Sequence, residues 1–134
     1  MTAPRVTVTD ARWIGVAGAL LAGTAVALGA FGAHALKPLL TPARLGTFET
    51  AVLYQLVHGL AVLALHAVDR GTGRLRVPAL LLLVGAGIFS LSLYLLVATD
   101  IGIFGATAPI GGTAMILGWL LLAFKLGQRG GPDA

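Results

Sequence analysis

The residues best suited to chemistry in this chain are five polar side chains within long apolar stretches. Tyr54, Gln55 and His58 lie three and four positions apart, so a helix would place them on one face. Ser90 and Tyr94 share one face of a later apolar run in the same way. If the two faces meet, they form a polar intramembrane pocket. His58 is its natural proton carrier or ligand, because imidazole changes charge near neutral pH. The alternative is that these side chains only hydrogen-bond between helices.

The histidines and carboxylates do not have the spacing of a metal site. His58 and His66 are eight residues apart, which is about 12 Å along a helix and too far to bind one ion. His34, Glu49 and Asp69 belong to other depths of the membrane. The chain has no cysteine, no Gly-x-Ser-x-Gly turn and no phosphate-binding glycine loop. We therefore expect no catalytic residue, no metal and no cofactor.

A second polar group, His34, Lys37 and Glu49, lies in and just after the stretch 34–48 between the first two apolar runs. Two prolines in this stretch break any continuous helix. Glu49 is expected to open the second helix, where a carboxylate favours the positive end of the helix dipole. Lys37 and Arg44 are then expected to pair with Glu49 and close a lid over the bundle.

Composition indicates that the main solvent of this chain is lipid. Of the 134 residues, 57% are hydrophobic and 10% are charged, whereas a soluble domain carries about 25% charged residues. A net charge of +4 would suggest nucleic acid if the basic residues clustered on one face. They flank the apolar runs instead, as membrane insertion favours. The expected partner is the lipid bilayer, and nucleic acid is not expected.

Four apolar stretches are long enough to cross a membrane as helices, since about 20 residues cover a hydrocarbon core of about 30 Å. The sequence therefore predicts an all-α membrane protein, a four-transmembrane-helix bundle over residues 13–126. Proline favours the first helical turn, so the last helix is expected to begin at Pro109, with 101–108 as a loop or a bent interfacial start. Trp119 is typical of an interfacial anchor. The predicted spans are 13–33, 50–68, 77–98 and 109–124.

The basic residues predict the orientation of the bundle. Of nine, all but Lys37 and Arg44 lie on the side that holds both chain ends. The positive-inside rule therefore places the tails 1–12 and 127–134 in the cytoplasm, and a multi-pass protein in the plasma (inner) membrane. A cleaved secretory signal ending near Ala35 is the alternative. It is disfavoured because the first apolar run exceeds the about 7–15 residues of a signal core.

The first span has a seam of small residues at alternating spacings of three and four, which predicts close contact with another helix. A composition rich in glycine and alanine is the alternative explanation. The seam consists of Gly15, Gly18, Ala22, Ala25, Gly29 and Gly32.

The two halves of the chain resemble each other weakly. Residues 29–35 (GAFGAHA) match residues 102–108 (GIFGATA) at five of seven positions. This similarity suggests a parallel repeat of two helical hairpins. Chance similarity in a sequence rich in glycine and alanine is an equally good explanation.

Four motifs in order resemble the YgdD-like small membrane proteins, whose eukaryotic relatives are called transmembrane protein 256 and whose shared region is domain of unknown function 423. The motifs are GAFGAHAL (29–36), TAVLYQ (50–55) with His58, SLSLY (90–94), and APIGG (108–112) with Gly118 and Trp119. The resemblance covers about residues 13–124 and implies a four-span plasma-membrane protein, with no catalytic residues to transfer. The family pattern has glycine where this chain has Leu91, so close backbone approach there is less assured.

These observations favour a non-enzymatic membrane protein that acts by helix packing with itself or with other membrane proteins. The seam and the scarcity of intramembrane polar groups support this hypothesis. The alternative is binding or transport of a small solute, proton or lipid through the polar pocket around His58.

Overall fold

The computed structural model describes residues 11–128, and its order of elements is helical throughout. The helices are α1 (Arg12–Phe31), continued by a π-helical turn (Gly32–Leu36), α2 (Pro42–Asp69), α3 (Arg76–Thr99) and α4 (Gly102–Gly127). Each of the four is long and apolar enough to cross a membrane. The prediction of an all-α fold with four membrane-spanning helices is therefore confirmed.

The second helix begins earlier than the sequence analysis expected. Thr41 caps it by accepting a hydrogen bond from the backbone nitrogen of Arg44 at 3.3 Å, and Pro42 occupies the first turn. A capping threonine followed by a proline without an N–H is a favourable helix start. Glu49 therefore lies in the third turn of α2, and the expectation that it opens the helix is wrong.

The fourth helix also begins early, and the expectation of a start at Pro109 is wrong. Asp100 adopts a left-handed conformation (φ 59°), which ends α3 and leaves only Ile101 before α4. There is consequently no room for a loop over 101–108. Pro109 lies inside the helix and removes one internal hydrogen bond, a loss that membrane helices tolerate when neighbours compensate.

The helices pack as an open array. Consecutive helices are in contact, α1 also touches α3, and within residues 11–128 the backbone of α4 approaches neither α1 nor α2. The core between them contains Val62 of α2, Leu82 and Ala86 of α3, and Met115 of α4. Large apolar side chains elsewhere on each helix point outward, where a bilayer would cover them. Of the four helices, α1 and α4 stand at the two ends of the array.

One end of the bundle holds the connection between α2 and α3, and we call it the Asp69 end. The Asp69 carboxylate accepts hydrogen bonds from the Thr72 hydroxyl (2.7 Å) and from the backbone nitrogens of Gly73 (2.7 Å) and Leu75 (3.0 Å). Glycine suits this turn because Gly73 has a φ of 74°. The opposite end, with the other two connections, is called the Asp100 end.

The two copies of the seven-residue similarity occupy different places in the fold. Residues 29–35 end α1 and enter the π turn, whereas residues 102–108 form the first turns of α4. One copy precedes a connection and the other follows one, so they are not equivalent segments of two parallel hairpins.

Candidate functional site

The small-residue seam of α1 lies against α2 of the same chain. Gly18 faces Gly59: a Cβ added to Gly18 would lie 2.9 Å from the Gly59 carbonyl oxygen, and one added to Gly59 would lie 2.6 Å from the backbone nitrogen of Ala22. Real Cβ atoms do not approach backbone so closely, so the two helices touch through their main chains. Ala22 and Ala25 are also buried.

The outer members of the seam leave room for large side chains of α2. A Cβ on Gly15 would lie 2.4 Å from the His66 ring, and one on Gly32 would lie 2.7 Å from the Phe48 ring. Gly29 is less crowded, since its Cβ would lie 3.3 Å from a Val52 methyl carbon. The contact surface that the sequence singled out is therefore occupied within the chain.

Gln55 links three helices through its side-chain amide and is only 5% exposed. The Tyr94 hydroxyl of α3 donates to Gln55 Oε1 at 2.8 Å. Gln55 Nε2 donates to Thr24 Oγ1 at 2.8 Å and to the Leu21 carbonyl at 3.0 Å, both on α1. Sequence analysis did not select Thr24, although a lone threonine in the first apolar run was the available signal.

His58, also 5% exposed, joins α2 to α4. Its Nδ1 lies 2.8 Å from the Tyr54 carbonyl oxygen, which can only accept, and its Nε2 lies 3.1 Å from Trp119 Nε1, which can only donate. The two partners together require a neutral ring with its proton on Nδ1. The Trp119 indole N–H is thus bonded to a buried histidine. The expected role of Trp119 as an interfacial anchor does not account for this hydrogen bond.

The remaining members of the predicted pocket form separate contacts. Ser90 is 1% exposed and donates from Oγ to the Ala51 carbonyl at 2.8 Å. Tyr54 is 40% exposed and contributes its ring, which lies 4.7 Å from Phe89 and 5.8 Å from His58 between centroids. The five predicted residues therefore make three sets of contacts, each of which connects different helices.

The second polar group does not assemble. His34, Lys37 and Glu49 are all exposed, and the described residues 11–128 include no bond between any two of them. Arg44, expected to pair with Glu49, instead forms an ion pair with Asp100.

Arg44 also holds the end of α3. It donates to the carbonyl of Val97 (3.3 Å) in the last turn of the helix and to that of Leu96 (3.0 Å), which also accepts from the Asp100 backbone nitrogen at 2.9 Å. At the Asp69 end, Arg74 donates in the same way to carbonyls at the end of α4, Lys125 and Gln128. No local sequence signal identifies these pairs, because each joins residues more than fifty positions apart.

An apolar cavity of about 450 Å³ opens at the Asp100 end, and we call it the Tyr94 cavity. Its walls come from α1, the π turn, the connection to α2, α2 and α3, and include Phe31, Leu36, Leu39, Phe48, Tyr94 and Ala98. Within residues 11–128, no three histidine, aspartate or glutamate side chains are grouped as a metal site would require.

The sequence matches the model of a protein family described as a protein of unknown function, DUF423, over residues 28–112. A UPF0382 membrane protein of Staphylococcus saprophyticus is 46% identical over 109 residues, which cover 80% of this chain and 90% of the relative. The UPF0382 membrane protein YwdK of Bacillus subtilis is 40% identical over 111 residues, covering 80% of this chain and 89% of the relative. No solved structure matches.

The relatives are named membrane proteins and match most of the chain. The family model covers the motifs 29–36, 50–55, 90–94 and 108–112 noted above. Together with four helices able to span a membrane, they indicate a multi-pass protein of the cell membrane. The chain belongs to the DUF423 family of membrane proteins.

Proposed function

We propose that this protein is non-enzymatic and acts in the membrane by packing against a second copy of itself or against other membrane proteins. The observation that supports this most directly is a second small-residue face on α1. Ala19, Gly23, Ala27 and Ala30 lie within one arc of the helix, and all four are exposed. A Cβ added to Gly23 would meet no atom within 4 Å.

A face of this kind suits helix association in lipid. Apolar side chains gain little by leaving lipid for another apolar surface, so association depends on close packing, which small residues permit. The first small face is occupied by α2, whereas this one points away from the array. As an end helix, α1 is accessible on that side.

The alternative, binding or transport through the polar pocket around His58, is less favoured. Both ring nitrogens of His58 are engaged by Tyr54 and Trp119. The Gln55 amide is likewise engaged by Thr24, Leu21 and Tyr94. An incoming solute or proton would have to break these bonds. They are better suited to holding helices together.

Cysteine cross-linking in native membranes tests the packing proposal, because the chain has no cysteine of its own. Gly23→Cys should form disulfide-linked dimers, or adducts with a co-purifying partner, on mild oxidation. Val84→Cys is the matched control, since Val84 is lipid-facing on α3 and 54% exposed. Equal cross-linking of both variants, or a monomer with no partner in native mass spectrometry, would overturn the proposal.

We further propose that both chain ends face the cytoplasm, on the basis of the distribution of basic residues. The variants Arg70→Cys and Thr99→Cys should differ in their labelling by a membrane-impermeant thiol reagent added to intact cells. Labelling is expected at position 99 only. Labelling at position 70 only would indicate the opposite orientation, with neither chain end in the cytoplasm.

A further inference from the structure

The Tyr94 cavity is apolar although a tyrosine lines it. The Tyr94 hydroxyl is directed to Gln55, to which it donates at 2.8 Å, so the ring is what remains to line the cavity. The other lining residues are leucine, phenylalanine, valine and alanine. The space therefore favours an apolar group of a ligand, such as a hydrocarbon chain.

Two aromatic rings that line the cavity, Phe48 and Tyr94, pack against each other. The Phe48 ring of α2 lies in the space left by Gly32, where a Cβ would come within 2.7 Å of it. Its centroid is 5.1 Å from that of Tyr94. The π turn that begins at Gly32 ends at Leu36, which lines the cavity. Single π-helical turns are rare and often occur at functional sites.

Positive charge lies beside this apolar space. Lys37 is exposed and directly follows Leu36, and Leu39 and Leu40 of the same connection line the cavity. Arg44 lines a smaller pocket that shares Val97 with the cavity. Asp100 pairs with Arg44, and Glu49 borders a different groove against α1, so neither carboxylate is paired with Lys37 in the structure.

We propose that the Tyr94 cavity binds one acyl chain of a membrane phospholipid, whose phosphate lies beside Lys37. The cavity volume of about 450 Å³ is within the range of about 300–1,000 Å³ that small-molecule sites occupy. An α-helix is about 10 Å wide with its side chains, so this volume would hold only about one turn of it, whereas a single hydrocarbon chain is much thinner. An anionic headgroup complements the lysine at the membrane surface. This binding goes beyond the packing function proposed above and uses a different surface.

Native mass spectrometry of the full chain released from vesicles of phosphatidylcholine and phosphatidylglycerol tests the proposal. The unmodified protein should retain one phospholipid. Ala98→Trp, which fills the cavity from α3, should lose it. Ala123→Trp is the matched control, because Ala123 is exposed on α4 and does not line the cavity.

Two further variants complete the test: one blocks the cavity at a second position, and the other removes the charge of Lys37. Leu39→Trp blocks the cavity from the connection between the π turn and α2. Leu39 is 76% exposed, so this variant should fold and lose the lipid even if Ala98→Trp fails to fold. Lys37→Gln should weaken retention of phosphatidylglycerol about five-fold, since one basic residue near an anionic surface is worth about 1 kcal/mol. It should leave phosphatidylcholine retention unchanged.

Three results would overturn the proposal: lipid retained by both Ala98→Trp and Leu39→Trp, lipid lost from Ala123→Trp to the same extent as from those two variants, or retention of detergent only. Cross-linking at Gly23 reports on the packing function separately. Failure of one proposal therefore leaves the other intact.

Discussion

Both hairpins of the molecule bring two helix backbones into contact, but they use different residues. In the α1–α2 hairpin, Gly18 meets Gly59 within a continuous seam of small residues. In the α3–α4 hairpin, Gly85 meets Gly111, and a Cβ on Gly111 would lie 2.5 Å from both the Gly85 carbonyl oxygen and the Phe89 backbone nitrogen. The backbones of α3 and α4 thus come into contact at a facing glycine pair without the continuous seam of small residues that α1 carries.

The glycine pairs should give the largest effects. Gly111→Leu and Gly18→Leu should each destabilise the bundle by about 3 kcal/mol or more, because the added side chain meets backbone that cannot move aside. Equilibrium unfolding in detergent micelles measures the difference. Gly87→Leu is the control, since a Cβ there would meet nothing within 4 Å. If Gly111→Leu and Gly87→Leu unfold alike, the α3–α4 contact is not as close as described.

Removing the Gln55 amide should give the next largest effect on the free energy of unfolding. Gln55→Leu breaks the link among α1, α2 and α3 and should cost about 1–2 kcal/mol, near the upper limit measured for such bonds in membranes. Thr24→Val and Tyr94→Phe should each cost less. A double-mutant cycle with Gln55→Leu should show that the single effects do not add. Additive effects would indicate that the three side chains act independently.

Two hydrogen bonds made by side chains of α4 should have smaller effects on stability. Trp119→Phe removes the N–H that reaches His58, and Ser92→Ala removes the hydrogen bond to Thr107 at 2.8 Å. Each should cost about 0.6 kcal/mol, the average for interhelical bonds in a membrane. Of the two variants, only Trp119→Phe should make the contact between α2 and α4 more accessible to solvent. Hydrogen exchange at the backbone near His58 measures this, and equal exchange in the two variants would contradict it.

The smallest effect should come from the ion pair at the Asp100 end. Asp100 is exposed, so Asp100→Asn should change the free energy of unfolding by about 0.5 kcal/mol or less. Asparagine is the suitable replacement because it also tolerates the left-handed conformation of this residue. The difference should shrink further at high salt. An effect that persists at high salt would indicate that the pair is shielded from solvent.

The helix starts show where local sequence reasoning was sufficient and where it was not. Four spans followed from the length of the apolar runs, but the starts of α2 and α4 were placed at Glu49 and Pro109. Helix α2 is instead capped by Thr41 and begins at Pro42, and Pro109 lies inside α4 because the left-handed Asp100 leaves no loop before that helix. Boundary signals compete, and the geometry of neighbouring helices selects among them.

The contacts of the candidate site were likewise only partly predictable from the sequence. Period and spacing placed Gln55 and His58 on the inner face of α2, where they are buried. They did not indicate that Thr24 bonds to Gln55 or that Trp119 bonds to His58.

The sequence alone determined that this protein lies in lipid, that it crosses the membrane as four helices, and which face of α1 is small enough for backbone contact. These properties depend on composition and on residues within a few turns of one another. Only the tertiary structure decided that α2 fills the seam, that His58 bonds to Trp119, and that a cavity remains beside Tyr94. Those features join residues far apart in the chain, such as His58 and Trp119 at a separation of 61 positions, and their formation depends on how the helices pack.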